Sequence, residues 1–122
     1  MAEEFKREGG IVVLTGELGA GKTTFAQGFA EGLGITEKVI SPTFVLIREY
    51  HIPGSEKKFF HIDLYRLEGG VEPAELGVHD MLNDGNVVLI EWADKLKEDL
   101  SGKVTKIFFK KISQNIREIT VT

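Results

Sequence analysis

The feature that most constrains this chain is Ile11-Val12-Val13-Leu14 together with the segment Gly16–Thr23 just after it, GELGAGKT. An unbroken apolar run without alternation reads as a strand buried on both faces, the usual state of a central parallel strand. The segment behind it fits the pattern G-x-x-x-x-G-K-[ST]. A helix is then expected from about Lys22 to Leu33, with Phe25, Phe29 and Leu33 four apart on one stripe. Gly34 stands where a helix-ending glycine belongs.

Strand, glycine-rich turn and amphipathic helix, in that order, make up the unit a phosphate cradle requires. Gly16, Gly19 and Gly21 let the backbone turn tightly and bring its N–H groups against phosphate oxygens with no Cβ in the way. The helix presents its positive end to the same anion. Lys22 supplies a point charge to the outer phosphates, and Thr23 offers a hydroxyl to Mg²⁺. The segment is thus a P-loop, and ATP or a close relative with Mg²⁺ is the expected ligand. Gly28 and Gly32 lie inside the helix, where glycine costs up to ~1 kcal/mol relative to alanine. Close packing of helix on sheet is the expected reason for them.

The rest of the chain continues the alternation of strand and helix. Pro42 marks a loop, Phe44 to Tyr50 reads as a strand, and Pro53-Gly54-Ser55 as a turn. Phe59-Phe60-His61-Ile62 reads as a strand ending at Asp63. Glu72 to Asn83 holds two short helical stretches broken near Gly77. After the turn cluster Asn83–Asn86, Val87-Val88-Leu89-Ile90 is a second fully apolar strand, ending at Glu91. Lys103 to Lys111 and Ile116 to Val121 read as an antiparallel hairpin. The expected fold is a three-layer α/β P-loop NTPase fold. Its sheet is mixed and mostly parallel, with helices on both faces and a terminal hairpin. At 122 residues the chain suits a single domain, 1–122.

Composition narrows the chemistry. The absence of cysteine excludes disulfides, thiol catalysis and thiolate-bound metals. No apolar run suggests a membrane span, and the charged start MAEEFKREGG is unlike a signal peptide, so the cytoplasm is the expected compartment. A net charge of −4 argues against autonomous binding to nucleic acid. Lys103, Lys106, Lys110, Lys111 and Arg117 gather late in the chain and read as a solvated sheet face, the alternative being a docking patch for an acidic partner or an RNA.

A P-loop site also needs carboxylates near its metal, commonly at the end of an apolar strand. Asp63 and Glu91 both stand at such ends. Ligands of open α/β sheets gather at the carboxyl ends of parallel strands, so both should face the phosphate site if both strands run parallel to the first. One would hold or orient the metal and its waters, and the other would orient or activate the attacking water. The residues alone do not divide those roles. Thr43, in Ser41-Pro42-Thr43-Phe44, lies where a loop ordered by a γ-phosphate is common. His51, His61 and His79 form no metal constellation and read as structural, although His61 stands two residues from Asp63 and shares its strand face.

GELGAGKTT, SPTF, HIDLYRL, PAELG and LIEW occur here in one order and at one set of spacings. In this the chain resembles, from about Gly9 to Lys95, the TsaE (YjeE) family, bacterial ATPases of the tRNA threonylcarbamoyladenosine pathway. The resemblance implies a protein that binds ATP with Mg²⁺ and hydrolyses it slowly. It implies a TsaB–TsaD heterodimer as partner, which transfers threonylcarbamoyl to adenosine beside the anticodon, with tRNA met only through that complex. It places nucleotide binding on Leu18, Gly19, Ala20, Gly21, Lys22 and Thr23 with Thr24 beside them. The switch-like threonine becomes Thr43 and the Walker-B-like aspartate Asp63. Glu91 would contact Mg²⁺ together with Thr23, Trp92 is the adjacent family tryptophan, and Arg117 matches a C-terminal arginine near the nucleotide. Two departures stand out. The family's N-terminal helix is missing or shortened, and Ala93 stands where proline is usual.

Three other readings compete. A small-molecule kinase would need an acceptor pocket and an arginine-bearing lid, and no segment looks like a lid. A GTPase would need N-K-x-D, which is absent. A non-hydrolysing nucleotide-sensing adaptor differs from the ATPase only in turnover.

Overall fold

The computed structural model describes residues 2–16, 21–36, 47–64, 69–96, 100, 104–111, 113 and 117–122, with backbone alone at 23, 73, 84, 94, 111 and 117. The strands are β1 (Gly10–Gly16), β2 (Ile47–His51), β3 (Lys58–Asp63), β4 (Val87–Glu91), β5 (Val104–Lys111) and β6 (Arg117–Val121). The α-helices are α1 (Ala2–Glu8), α2 (Lys22–Gly32), α3 (Pro73–Leu76) and α4 (Val78–Met81). The strands form one six-stranded sheet in the order β2-β3-β4-β1-β5-β6. β3, β4, β1 and β5 run parallel, and β2 and β6 pair antiparallel at the two edges. The mixed, mostly parallel sheet with its terminal hairpin is the one the strand pattern predicts.

The two unbroken apolar runs lie side by side at the centre. Ile11 to Leu14 and every residue of β4 are buried. Burying each aliphatic side chain contributes about 1.5–3 kcal/mol, and only a strand covered on both faces collects that from consecutive residues. The edges differ: Arg48 and Glu49 in β2 are exposed, whereas β6 exposes Ile119 and Val121 beside Glu118 and Thr120. Charged edge strands discourage further pairing.

Each face has its own core. On one, Val12, Leu14, Phe59, Leu89, Ile107 and Phe109 pack under Ala26, Phe29, Ala30 and Leu33 of α2. On the other, Ile11, Val13, Ile62, Val88 and Ile90 pack with Val78 and, at its margin, Leu76 and Met81. Gly77 adopts φ 71°, ψ 27° and ends α3 where α4 begins. Only glycine takes that conformation at no steric cost, so the break expected near Gly77 lies on it. Helix α2 ends as its glycine predicts: Gly34 N–H donates to Glu31 O at 2.9 Å and Ile35 N–H to Ala30 O at 3.1 Å, a Schellman arrangement.

Three local points complete the fold. First, the N-terminal stretch forms the seven-residue helix α1. Phe5 meets Phe29 edge to face at 5.5 Å. Lys57 Nζ donates to the last carbonyls of α1, at 3.1 Å to Lys6 O and 2.7 Å to Arg7 O, a cation at the negative end of a helix. Second, Gly28 and Gly32 are not explained by helix–sheet packing. Both are exposed. A Cβ on Gly28 would meet nothing within 4 Å, and one on Gly32 would lie 2.6 Å from Ala2 Cβ, so Gly32 makes room for α1 instead. Third, β2 begins at Ile47; residues 44–46 of the strand expected there lie outside the described residues.

Candidate functional site

The strands β3, β4 and β1 deliver their carboxyl ends side by side. In register, Asp63 is opposite Glu91, and Glu91 is opposite Leu14. Side chains opposite one another on neighbouring strands project to the same face. That face is the one α2 covers, since Phe59 and Leu89 of the same strands pack beneath that helix. Leu64 N–H donates to Glu91 O at 3.2 Å and ties the two exits together. Both carboxylates are buried, with Asp63 8% and Glu91 2% exposed. The condition set by the sequence, that both strands run parallel to Ile11–Leu14, is therefore met.

Strand β1 leaves the sheet through Gly16, at φ +127°. A Cβ there would stand 2.1 Å from Phe109 O on β5, so both conformation and space demand glycine. The chain returns at Gly21, and Lys22 opens α2. Its side chain is buried at 5% exposure. Lys22 Nζ donates to Gly16 O at 2.6 Å and stands 3.6 Å from the centroid of the Trp92 ring. A desolvated cation over an indole is worth about 2 kcal/mol. Trp92 follows Glu91 directly and has φ 60°, the one non-glycine residue with positive φ among those described. That conformation costs about 1–3 kcal/mol and clusters at functional sites. Here it turns the chain at the end of β4, with the indole against Lys22.

His61 is the residue the sequence undervalued. Its Nε2 lies 2.5 Å from Glu91 Oε2, and the two side chains are 1% and 2% exposed. The ring stacks on Phe59 at 6.3 Å with planes 13° apart. The available signal was its spacing from Asp63, which puts both on one face; what was missing was the register that sets Glu91 beside them. His51 and His79 are exposed, as their structural reading implies.

Among the other expected site residues, Thr24 is exposed on α2. Leu18, Gly19, Ala20 and Thr43 lie outside the described residues, as do the side chains of Thr23 and Arg117. On β5, Lys106, Phe108 and Lys110 are exposed and alternate with buried Ile107 and Phe109, so the lysines of this face flank an exposed phenylalanine. The arrangement as a whole offers one buried cation and a pair of adjacent acids around the entrance to a helix. Together these can hold an anion at the helix N-terminus and hard-oxygen chemistry beside it.

Comparison with known proteins shows the family and the fold. The family model for threonylcarbamoyl adenosine biosynthesis protein TsaE matches residues 1–119, and so takes in α1 and the hairpin as well as the motifs. The tRNA threonylcarbamoyladenosine biosynthesis protein TsaE of Bacillus subtilis is 43% identical over 118 residues, covering 97% of this chain and 72% of the relative. Its namesake in Treponema pallidum is 38% identical over 114 residues, covering 93% and 82%. The crystal structure of Bacillus subtilis YdiB superposes with a TM-score of 0.70 at 34% identity, over 99% of this chain and 79% of that one. Matched along nearly its whole length by both the family and its individual members, the chain belongs to the TsaE family of threonylcarbamoyl adenosine biosynthesis proteins.

Proposed function

We propose that this chain binds ATP with Mg²⁺ and hydrolyses it slowly, and that it supports threonylcarbamoyl transfer to tRNA adenosine by a TsaB–TsaD-type heterodimer in the cytoplasm. The observation that carries the reading is the in-register placement of Asp63 and Glu91 at the exits of β3 and β4, on the face where Lys22 begins α2.

The residues fit the ligand. A buried ammonium needs an acceptor, and Lys22 takes a backbone carbonyl and an aromatic face; a nucleotide's outer phosphates would serve it better. Magnesium prefers hard oxygens and is commonly held by one or two carboxylates completed by substrate phosphates and water. Glu91 and the Thr23 hydroxyl, with Asp63 beside Glu91, would make such a donor set. When bound, the ion neutralises charge on the phosphates. The chain's own part is to hold the phosphates with Lys22 and the 16–23 backbone, one carboxylate orienting the metal and its waters and the other the attacking water. Thr43 is assigned the switch position and Arg117 a nucleotide-side contact.

The test is direct. Lys22→Ala abolishes ATP binding measured by calorimetry, and a TsaB–TsaD preparation binds the wild-type chain and raises its phosphate release. A wild-type chain that neither associates with that preparation nor responds to it overturns the proposal.

A further inference from the structure

We infer that His61 is a positioning residue: through Nε2 it holds Glu91 Oε2 and so fixes which carboxylate oxygen is presented to the phosphate site. This rests on the proposed function, within which Glu91 acts on the metal or the attacking water.

The physical case begins with burial. At 2% exposure the Glu91 side chain has lost nearly all its hydration, and a buried carboxylate without a partner is costly. His61 Nε2 at 2.5 Å supplies that partner. The metal or water role proposed for Glu91 needs its carboxylate form, which only accepts; in that form the proton of this bond belongs to Nε2. Oε1 has no hydrogen-bond partner among the described residues, which leaves it as the oxygen able to turn to a ligand. The ring itself is fixed from the side by Phe59, stacked at 6.3 Å.

The remaining nitrogen shows that packing alone does not explain the residue. His61 Nδ1 is buried and has no hydrogen-bond partner among the described residues. An orphaned buried polar atom costs about 1–3 kcal/mol. A strand that needed only to fill the core beside Phe59 would be more stable with an aliphatic or aromatic residue here. The arrangement satisfies Glu91 and leaves Nδ1 unpaired, as expected if the carboxylate's orientation is what the ring secures. Because His61 and Asp63 share strand β3, the same bond also couples the two acidic exits across the β3–β4 pairing.

Two side chains separate this role from plain scaffolding. Glutamine can place an amide nitrogen where Nε2 stands, whereas asparagine reaches only as far as Nδ1. With the chain and a TsaB–TsaD preparation under saturating Mg²⁺, His61→Asn lowers kcat about tenfold or more. KM for ATP changes by less than about threefold, since binding is not what is lost. His61→Gln restores kcat to within about threefold of wild type. In the Glu91→Gln background, adding His61→Asn costs nothing further, because the two act as one unit. Equal losses in the Asn and Gln variants, a loss carried by KM, or additive effects with Glu91→Gln would each overturn the inference, as would failure of both His61 variants to fold. A second readout needs no turnover. The imidazole nitrogen spectrum of the wild-type chain shows one exchange-protected Nε2 proton, which moves upfield in Glu91→Gln; its absence overturns the inference. If the wild-type chain does not turn over nucleotide, the proposed function falls, and this proton alone decides whether His61 holds Glu91.

Discussion

Strands β1 and β4 are near copies in composition and opposites in how they end. IVVL and VVLI lie in register at the centre of the sheet, Ile11 against Val88 through Val13 against Ile90, and both runs are buried. Yet β1 leaves through a glycine with φ +127°, whereas β4 leaves through Glu91 and a tryptophan with φ 60°. The first exit removes the side chain at Gly16, as the proposed phosphate site would require. The second keeps two large side chains and spends backbone strain to aim one of them at Lys22. In this sheet the strand bodies supply stability without distinguishing themselves, and the chemistry resides in the residue or two beyond each body.

Substitutions can break or sharpen that contrast. The largest effect belongs to Gly16→Ala. Its Cβ would overlap Phe109 O and part β1 from β5, so we expect a loss of about 4 kcal/mol or more in denaturant unfolding; a loss under about 1 kcal/mol would show that this exit does not require glycine. Next come the bodies. Leu14 and Leu89 are both 0% exposed and sit in the same core, so Leu14→Ala and Leu89→Ala should each cost about 3 kcal/mol. Unequal costs would show that the bodies are not equivalent.

Glu91→Gln follows. It should lower partner-stimulated kcat about 100-fold with ATP affinity nearly unchanged. Intact support of the TsaB–TsaD reaction by this variant would instead favour the non-hydrolysing adaptor. Smallest is Trp92→Gly. It relieves the left-handed strain and deletes the cation–π contact, terms of similar size and opposite sign. The net change in unfolding free energy should stay within about 1 kcal/mol, while ATP affinity reports the loss of the ring. A large destabilisation would mean that the tryptophan is chiefly a core residue.

Much of this was legible in the residues. Consecutive apolar positions announced the central strands, and glycine at 77 and 34 marked where helices stop. The two acids could be expected to converge because parallel strands end at one edge. What escaped depends on contacts between distant parts of the chain. Helix α1 is seven residues of mostly charged sequence, too short to persist alone. It is held by Phe29 and by a lysine 50 residues away. The His61–Glu91 bond spans 30 residues and needs the β3–β4 register. Gly32 is explained by Ala2 across a helix pair, and the left-handed turn at Trp92 has no local signature, because nothing in the sequence before an Ala-Asp-Lys turn demands it.

The stacking of Lys22 on Trp92 has a practical consequence. The chain contains a single tryptophan, and its indole lies 3.6 Å from the one lysine at the head of α2. Light emitted on selective excitation of this protein therefore originates at one point, beside that ammonium. Any anion that draws the lysine away changes the electric field across the ring. The molecule carries a built-in optical gauge of the proposed phosphate site, readable without a label, in the isolated chain or in an assembly whose other subunits lack tryptophan.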